Sequence, residues 1–297
     1  MAGKAKPVVT IGIPFFNPGP LIEDAVRSVF SQTFSDWELI LLDDGSTDES
    51  LRRVQQIRDP RVKVYSDGRN KGLVTRLNEI TQLASGKYLA RMDADDIMHP
   101  ERIATQIQFL ESNTTIDVVD TGMVILDRTG CPVGTQGLAQ GIPSPVSFMM
   151  HGGIRHATIV ARREWFLRYP YDEAFPRAED RELFNRALIS GTTFAHLPEP
   201  LYFYRYAGTV RVDAYLIGYR SERKVLLRYG PQLIGYPLTT ALYVRSCVKS
   251  LILRGLALVG AEQFAQRRTY QGISGDLAQK TKETISAIRA QEVPGWD

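Results

Sequence analysis

Apolar residues fall into short dense runs separated by stretches at helical spacing, and the first hundred residues repeat that alternation. Val8-Val9-Thr10-Ile11-Gly12-Ile13-Pro14 is largely β-branched, as expected of a parallel strand buried on both faces. Phe15 to Pro20 breaks it as a loop. Leu21, Ala25, Val26, Val29 and Phe30 then recur with helical period, with Glu23 and Asp24 in the first turn, where acidic side chains suit the helix dipole. A second run, Glu38-Leu39-Ile40-Leu41-Leu42, ends in Asp43-Asp44-Gly45-Ser46-Thr47-Asp48. Ser46 or Thr47 is placed to cap a helix through Ile57, which Asp59-Pro60 stops. Val62 to Tyr65 predicts a third strand, Gly68 to Gly72 a loop, and the residues to about Ala84 a helix. Gly86 to Ala90 then enters a fourth strand that ends at Arg91-Met92-Asp93-Ala94-Asp95-Asp96-Ile97. Strands alternating with helices at this rhythm predict a Rossmann-like α/β half, a parallel sheet with crossover helices.

Past Pro100 the spacing predicts a helix to about Glu111, with Ile103, Ile107 and Leu110 on one face. Val118-Val119 and Met123 to Leu126 read as two short strands, and the Gly/Pro-rich stretch from Gly130 to Pro145 as a long loop, functional or mobile. Arg155 to Arg162 is a strand candidate. Phe175 to Asp180 opens a helix with Leu183, Ala187 and Leu188 inside, and Thr193 to His196 and Leu201 to Tyr206 read as the last strands. Beyond Asp213 the pattern becomes helical. Val244, Cys247, Val248, Leu251 and Ile252 make an apolar stripe beside Arg245, Ser246 and Lys249, fit either to pack on the domain or to lie in a membrane interface. Leu253 and Leu256 blur the polar face and favour packing. Gln271 to Asp297 carries little signal. The expected organisation is an α/β domain over residues 1–212 and a basic helical region over 213–297.

Composition changes this picture little, because 43% hydrophobic and 23% charged residues in a chain of 297 are ordinary globular values. Cys131 and Cys247 are too few and too far apart for a disulfide framework, which fits a reducing compartment. The first residues lack the apolar run of a signal peptide, and no apolar stretch reaches bilayer-spanning length, so a cytoplasmic protein is expected. Charge adds more. The net charge is +3, but Asp213 to Arg268 holds nine Lys/Arg against three Asp/Glu, so the preceding part is slightly acidic. A basic tail on a near-neutral body suggests peripheral contact with an anionic membrane leaflet. Nucleic acid is not an expected partner, since no nucleic-acid-binding motif is present.

The candidate chemistry lies at the strand ends. In an open α/β sheet ligands bind beyond the carboxyl ends of the strands, and there the chain places Asp43/Asp44 and Asp93/Asp95; Glu179/Asp180 opens a later helix. Carboxylates clustered in this way repel unless a cation or donors compensate them. An isolated Asp-any-Asp triplet is also what an acidic loop before a helix looks like, with Asp96 as the cap ahead of His99-Pro100-Glu101.

The ordered set is more specific than its parts. Ile13-Pro14-Phe15-Phe16-Asn17, Ser31 to Ile40 with Asp43 to Asp48, Asn70-Lys71-Gly72 with Arg76 and Asn78, and the triplet resemble the family-2 glycosyltransferases, inverting enzymes of the GT-A fold, over about residues 8–206. The resemblance implies transfer of a sugar from a nucleotide donor, a UDP-sugar first, to a hydroxyl of a glycan or lipid-linked acceptor in cell-surface polysaccharide synthesis. It implies that Pro14, Phe16 and Asn17 belong to the donor site, that Asp44 accepts a hydrogen bond from the base, and that Asn70, Lys71 and Asp93 lie along the nucleotide. Asp95, with Asp93 beside it, would bind Mn²⁺ or Mg²⁺ between the diphosphate oxygens, and Asp180 would be the general base.

Each assignment has a plainer competitor: Phe16 as core, Asp43 as a turn residue through Ser46 or Thr47, Asp180 as a helix cap beside Glu179, His156 as a hydrogen-bonded structural histidine rather than an acceptor contact. One departure stands out. Many relatives carry a histidine after the last strand, where this chain has Tyr204-Arg205-Tyr206-Ala207-Gly208-Thr209, so Arg205 or Arg211 is the candidate diphosphate contact and the third metal ligand is open. Two other functions compete. A degenerate GT-A scaffold would bind nucleotide or glycan without catalysis, and a haloacid-dehalogenase-type phosphatase would use Asp93-Ala94-Asp95 as its nucleophile loop, but after the first strand rather than the fourth.

Overall fold

β1 (Val9–Phe15) and β2 (Trp37–Asp43) are buried along their whole length, because both faces of the sheet are covered. The computed structural model describes residues 6–139, 141, 144–206, 211–261, 264 and 270–296. Between these strands runs α1 (Leu21–Phe30), and after them come α2 (Ser50–Gln55), β3 (Val62–Tyr65), α3 (Leu73–Leu83) and β4 (Tyr88–Arg91). β3, β2, β1 and β4 lie side by side in that order, all parallel. This is the expected Rossmann-like half.

The acidic triplet follows β4 and leads straight into β5 (Ile97–Met98), before α4 (Arg102–Ser112). β6 (Val118–Leu126) is one nine-residue strand where two short ones were expected, with a register shift at Thr121–Gly122 that splits its pattern. The presumed loop after Gly130 contains β7 (Pro132–Gln136) and α5 (Pro145–His151), the latter capped by Ser144 and started by Pro145. Pro132 and Gly134 disguise β7 as a loop; pairing with β6 makes it a strand. The strand candidate 155–162 is a 3₁₀ turn (His156–Thr158) followed by β8 (Val160–Arg162), and α6 (Arg163–Arg168) and α7 (Glu179–Ile189) come next. β9 (Phe194–Arg205) joins the two expected last strands into one. The sheet continues from β4 through β8, β6 and β9 to β5, mixing antiparallel neighbours with the parallel β6–β9 pair.

α8 (Val212–Leu258) is interrupted at Gly235, whose φ of 77° suits only glycine without strain. Its halves fold back on each other: Arg223 Nη1 donates to Ser250 Oγ at 2.8 Å, and Ser246 Oγ to Glu222 Oε2 at 3.2 Å. The first half packs Val225, Leu226 and Tyr229 against Met149 and Phe175. The expected packing stripe of the second half is the reverse of what is found. Val244, Val248, Leu251 and Ile252 are exposed, and Thr239, Leu242, Ser246, Ser250 and Leu253 are the buried side.

The final stretch, silent in sequence, is α9 (Gly275–Arg289), capped by Ser274. Its Ile285 and Ile288 join Ile97, Val124, Leu126 and Phe203 in a small core. Arg289 pairs with Asp24 of α1 at 2.8 Å, Arg27 donates to the carbonyl of Gln291, and Trp296 Nε1 donates to the carbonyl of Arg53 at 2.9 Å. Among the described residues no helix is long and apolar enough to cross a membrane.

Candidate active site

At the carboxyl end of β2, Asp43 and Asp44 are buried and do different things. Asp43 Oδ1 accepts the Ser46 N–H at 2.9 Å and Oδ2 accepts from Ser66 Oγ at 2.7 Å, so it holds the turn. Asp44 faces the loop before α3. Its Oδ1 accepts the Lys71 N–H at 2.7 Å and Arg76 Nε at 2.9 Å, and the Gly72 N–H is shared between Oδ1 at 3.1 Å and Oδ2 at 3.0 Å. The loop can lie this close because residue 45 is glycine: with φ of 78°, a Cβ there would sit 2.8 Å from the carbonyl carbon of Arg69 and 2.9 Å from the nitrogen of Asn70. Asn70 is exposed, whereas the Lys71 ammonium turns to Asp67 at 2.6 Å and Glu79 at 2.8 Å.

Beside this, Pro14 is buried opposite Leu42, and Phe16 is 51% exposed at the end of β1. An aromatic ring so open is not core. Asn17, expected at the donor, is exposed and ties two loops together: its Oδ1 accepts the N–H of Thr47 at 2.7 Å and of Asp48 at 3.2 Å, and its own N–H donates to Ser46 Oγ at 3.0 Å. Ser46 and Thr47 are thereby used up. They do not cap α2, which begins later, at Ser50, behind Glu49.

The triplet after β4 stands on a floor of arginines. Arg91, buried at the end of the strand, donates to Asp93 through Nη2 at 2.6 Å and Nη1 at 3.1 Å. Arg102, fully buried on α4, donates to the Arg91 carbonyl at 2.9 Å, and the Asp93 N–H donates to Tyr202 Oη at 3.2 Å. Asp96 is not the cap of α4, whose N-cap is Glu101. It turns inward instead, 1% exposed, and its Oδ1 accepts the Arg205 N–H at 2.7 Å, because the chain must pair Ile97–Met98 with β9. Arg205, the expected diphosphate contact, is likewise buried and committed, through Nε to the Asp95 carbonyl at 2.8 Å and through Nη2 to Asp24 at 2.8 Å. It holds the triplet loop in place. Asp95 points outward. The protein around it and the neighbouring Asp93 charge push its carboxyl above the usual value; burial, then Asp93 and Asp95, push Asp96 well above it.

Asp93 opens into a recess of about 850 Å³ whose other walls include Arg155, His156, Asp180, Tyr204, Tyr206 and Tyr270. Asp180 sits in the first turn of α7, its Oδ1 accepting the Arg181 N–H at 2.7 Å, while Ala178 is the cap. Glu179 is raised by burial and by the Asp180 charge. His156 lies against Tyr171 with Nε2 and Oη 2.7 Å apart, and burial and the Arg91 charge hold its imidazole neutral, well below the usual histidine value. Arg211 is exposed, 3.7 Å from Asp213, and residues 207–210, which complete the histidine-free stretch, lie outside the described residues. The structure thus brings Asp93, His156 and Asp180 to one recess and Pro14, Asp44 and Asn70 to the adjoining strand ends. An arginine closing an otherwise apolar strand is the feature that marks Arg91 in the sequence.

The Glycosyl transferase family 2 profile matches residues 10–137, the strands and loops just described. A putative glycosyltransferase of Bacillus subtilis strain 168, EpsE, is 30% identical over 238 residues, 75% of this chain and 85% of that protein. The chain belongs to glycosyl transferase family 2. That membership sets aside the phosphatase reading of the triplet. Among solved structures, Staphylococcus aureus TarS in complex with UDP-GlcNAc superimposes with a TM-score of 0.62 at 18% identity, covering 80% of this chain and 72% of that one. A mannosyltransferase of Pyrobaculum calidifontis in complex with GDP-Man and Mn²⁺ superimposes with a TM-score of 0.59 at 14% identity, covering 97% and 87%. Such likenesses show the fold, GT-A, that this family-2 member shares with them.

Proposed function

We propose that residues 1–212 form a GT-A unit that transfers a sugar, with inversion, from a nucleoside diphosphate donor, a UDP-sugar first, to a hydroxyl of a glycan or lipid-linked acceptor in cell-surface polysaccharide synthesis. The observation that carries the reading is that Asp93 and Asp180, from opposite ends of the catalytic sequence, line one recess. Phe16 and Pro14 flank the base, and Asp44 Oδ2, which among the described residues takes the shared Gly72 N–H, has acceptor capacity left for it. Asn70 and the Lys71 backbone border the nucleotide, while the Lys71 side chain braces the loop.

Two carboxylates one residue apart, with Asp95 raised by burial and then by the Asp93 charge, are a donor set that fits a hard divalent cation. Asp95 and Asp93 would hold Mn²⁺ or Mg²⁺, with diphosphate oxygens as further ligands. When bound, the cation offsets the charge gathering on the leaving diphosphate. Asp180 takes the proton from the acceptor hydroxyl as that oxygen attacks from the face opposite the leaving group. His156, held by Tyr171, faces the acceptor side of the recess with Asp180. Acceptor choice rests on residues 130–230, which supply most of the recess wall. Residues 213–297 would keep the unit at the cytoplasmic membrane face where lipid-linked acceptors are assembled.

A panel of UDP- and GDP-sugars with Mn²⁺, read as sugar transfer and slow donor hydrolysis, tests this. Asp180→Asn should cut transfer roughly 10²–10⁴-fold and leave donor binding intact. Donor turnover that survives Asp95→Ala would refute the metal assignment, and transfer that survives Asp180→Asn would refute the base.

A further inference from the structure

The second half of α8 is built inside out. Its buried side, against the first half, is Thr239, Leu242, Ser246, Ser250 and Leu253. Its outward side is aliphatic: Val244 is 54% exposed, Leu251 65%, Ile252 56% and Leu258 88%, with Leu238, Val248 and Val259 in line with them. At about 100° per residue these positions share one arc of the helix, running roughly 30 Å along its axis. Soluble surfaces scatter their exposed aliphatics singly, whereas here they are contiguous.

The charges around the stripe are one-sided. From Tyr236 to Val259 the chain has Arg245, Lys249 and Arg254 and no Asp or Glu. On the helical wheel Arg245 and Lys249 edge one side of the stripe and Arg254 the other. A second copy of this chain docked face to face would set these cationic rims against each other with no carboxylate in the segment to answer them. An anionic lipid surface answers them directly.

We propose that this face lies in the headgroup-acyl boundary of an anionic bilayer, with Val244, Val248, Leu251, Ile252 and Leu258 inserted and the Arg245 and Arg254 stems snorkelling to the headgroups. This deepens the membrane contact proposed for residues 213–297: insertion by one helix face, and not the net charge of the region, does the holding. It does not depend on the transfer chemistry. The first half of α8, docked through Tyr229 to Glu182 of α7 at 2.5 Å, then sets the tilt of the catalytic recess over the lipid.

The test is vesicle flotation of the full chain. The parent protein should float with phosphatidylcholine–phosphatidylglycerol vesicles and keep most of its binding at high salt, where a purely ionic contact is screened. Leu251→Glu with Ile252→Glu should lower binding at least about tenfold, since it removes two inserted side chains and adds two anions at a solvent-facing site. Arg245→Gln with Arg254→Gln should weaken binding to anionic vesicles and leave the residual, salt-insensitive part. Unchanged flotation of the Glu pair, or no flotation of the parent protein, overturns the proposal. So does a lipid-free dimer that the Glu pair dissociates, which would give the face to a second copy. Donor hydrolysis, measured on the same samples, should not change in either pair; its loss in the parent protein would count against the glycosyl-transfer reading alone.

Discussion

Two pairs of carboxylates end two parallel strands of the same sheet, and they are treated in opposite ways. The Asp44 charge, after β2, is answered by the protein: two backbone N–H groups and the buried Arg76 donate to it, and Arg76 reaches on to Asp67 at 2.6 Å and Glu79 at 2.7 Å. Asp95, after β4, is not. Arg91 serves Asp93 and Arg205 takes the Asp95 carbonyl rather than its carboxylate, so the triplet keeps an outward charge that its neighbours resist. The difference is between a carboxylate whose charge is paired inside the fold and one whose charge is not. Two strand-end Asp pairs with nearly the same spelling carry different jobs, and the arginines behind them decide which is which.

The comparison breaks first at Arg76. Its guanidinium is 1% exposed, and Arg76→Met leaves Asp44 buried without its cation, so unfolding free energy in urea should fall by about 3–5 kcal/mol. If the loss were no larger than that of a surface substitution, the Asp44 charge would not depend on Arg76. The converse holds at Asp95. Asp95→Asn removes a carboxylate that the fold tolerates poorly; apo-protein melting should not drop, while metal-dependent transfer falls roughly 10²–10³-fold. A fall in apo stability would show that Asp95 is structural.

The two clusters should also answer pH in opposite directions. Arg76 and then Lys71 hold the Asp67 carboxyl well below the usual range, so the stability it contributes is present above its unfolded pKa and is lost as acid titrates it in the fold. Asp95 and Asp96 are raised, so their contribution is full below the unfolded value of about 3.9 and is lost as pH climbs through their folded values. Chemical denaturation from acid to neutral pH should show both limbs, and Mn²⁺ should flatten only the upper one. Asn17→Ala is the mildest change. It cuts the link between the β1 and β2 loops and should cost about 1 kcal/mol per lost hydrogen bond, with a rise in donor KM larger than any change in kcat.

Legibility follows the same division. β1 to β4 announce themselves because a strand buried on both faces is apolar throughout, and Asp44, Asp93 and Asp180 could be named from their places at element ends. The second half is harder, since its elements exist through their partners: β7 needs β6, and α9 shows few apolar positions, its buried face completed by Thr281. Asp96 and Arg205 take other partners than expected for one physical reason. A polar side chain near a site can serve the loops around the ligand as well as the ligand, and only distance in space separates those uses. The stripe on α8 was visible, but its facing was not, because period fixes which residues share a side and not which side is covered.

The contacts that seal α9 over α1 join residues more than 260 positions apart, as between Asp24 and Arg289. Seen in time rather than in space, this makes the sheet an early object with a late lid. Ile97, Val124, Leu126 and Phe203 share their small core with Ile285 and Ile288, so that core closes only once α9 has left the ribosome. A nascent chain halted before residue 275 should therefore be captured by chaperones, even though every strand of the donor-side sheet has already been made.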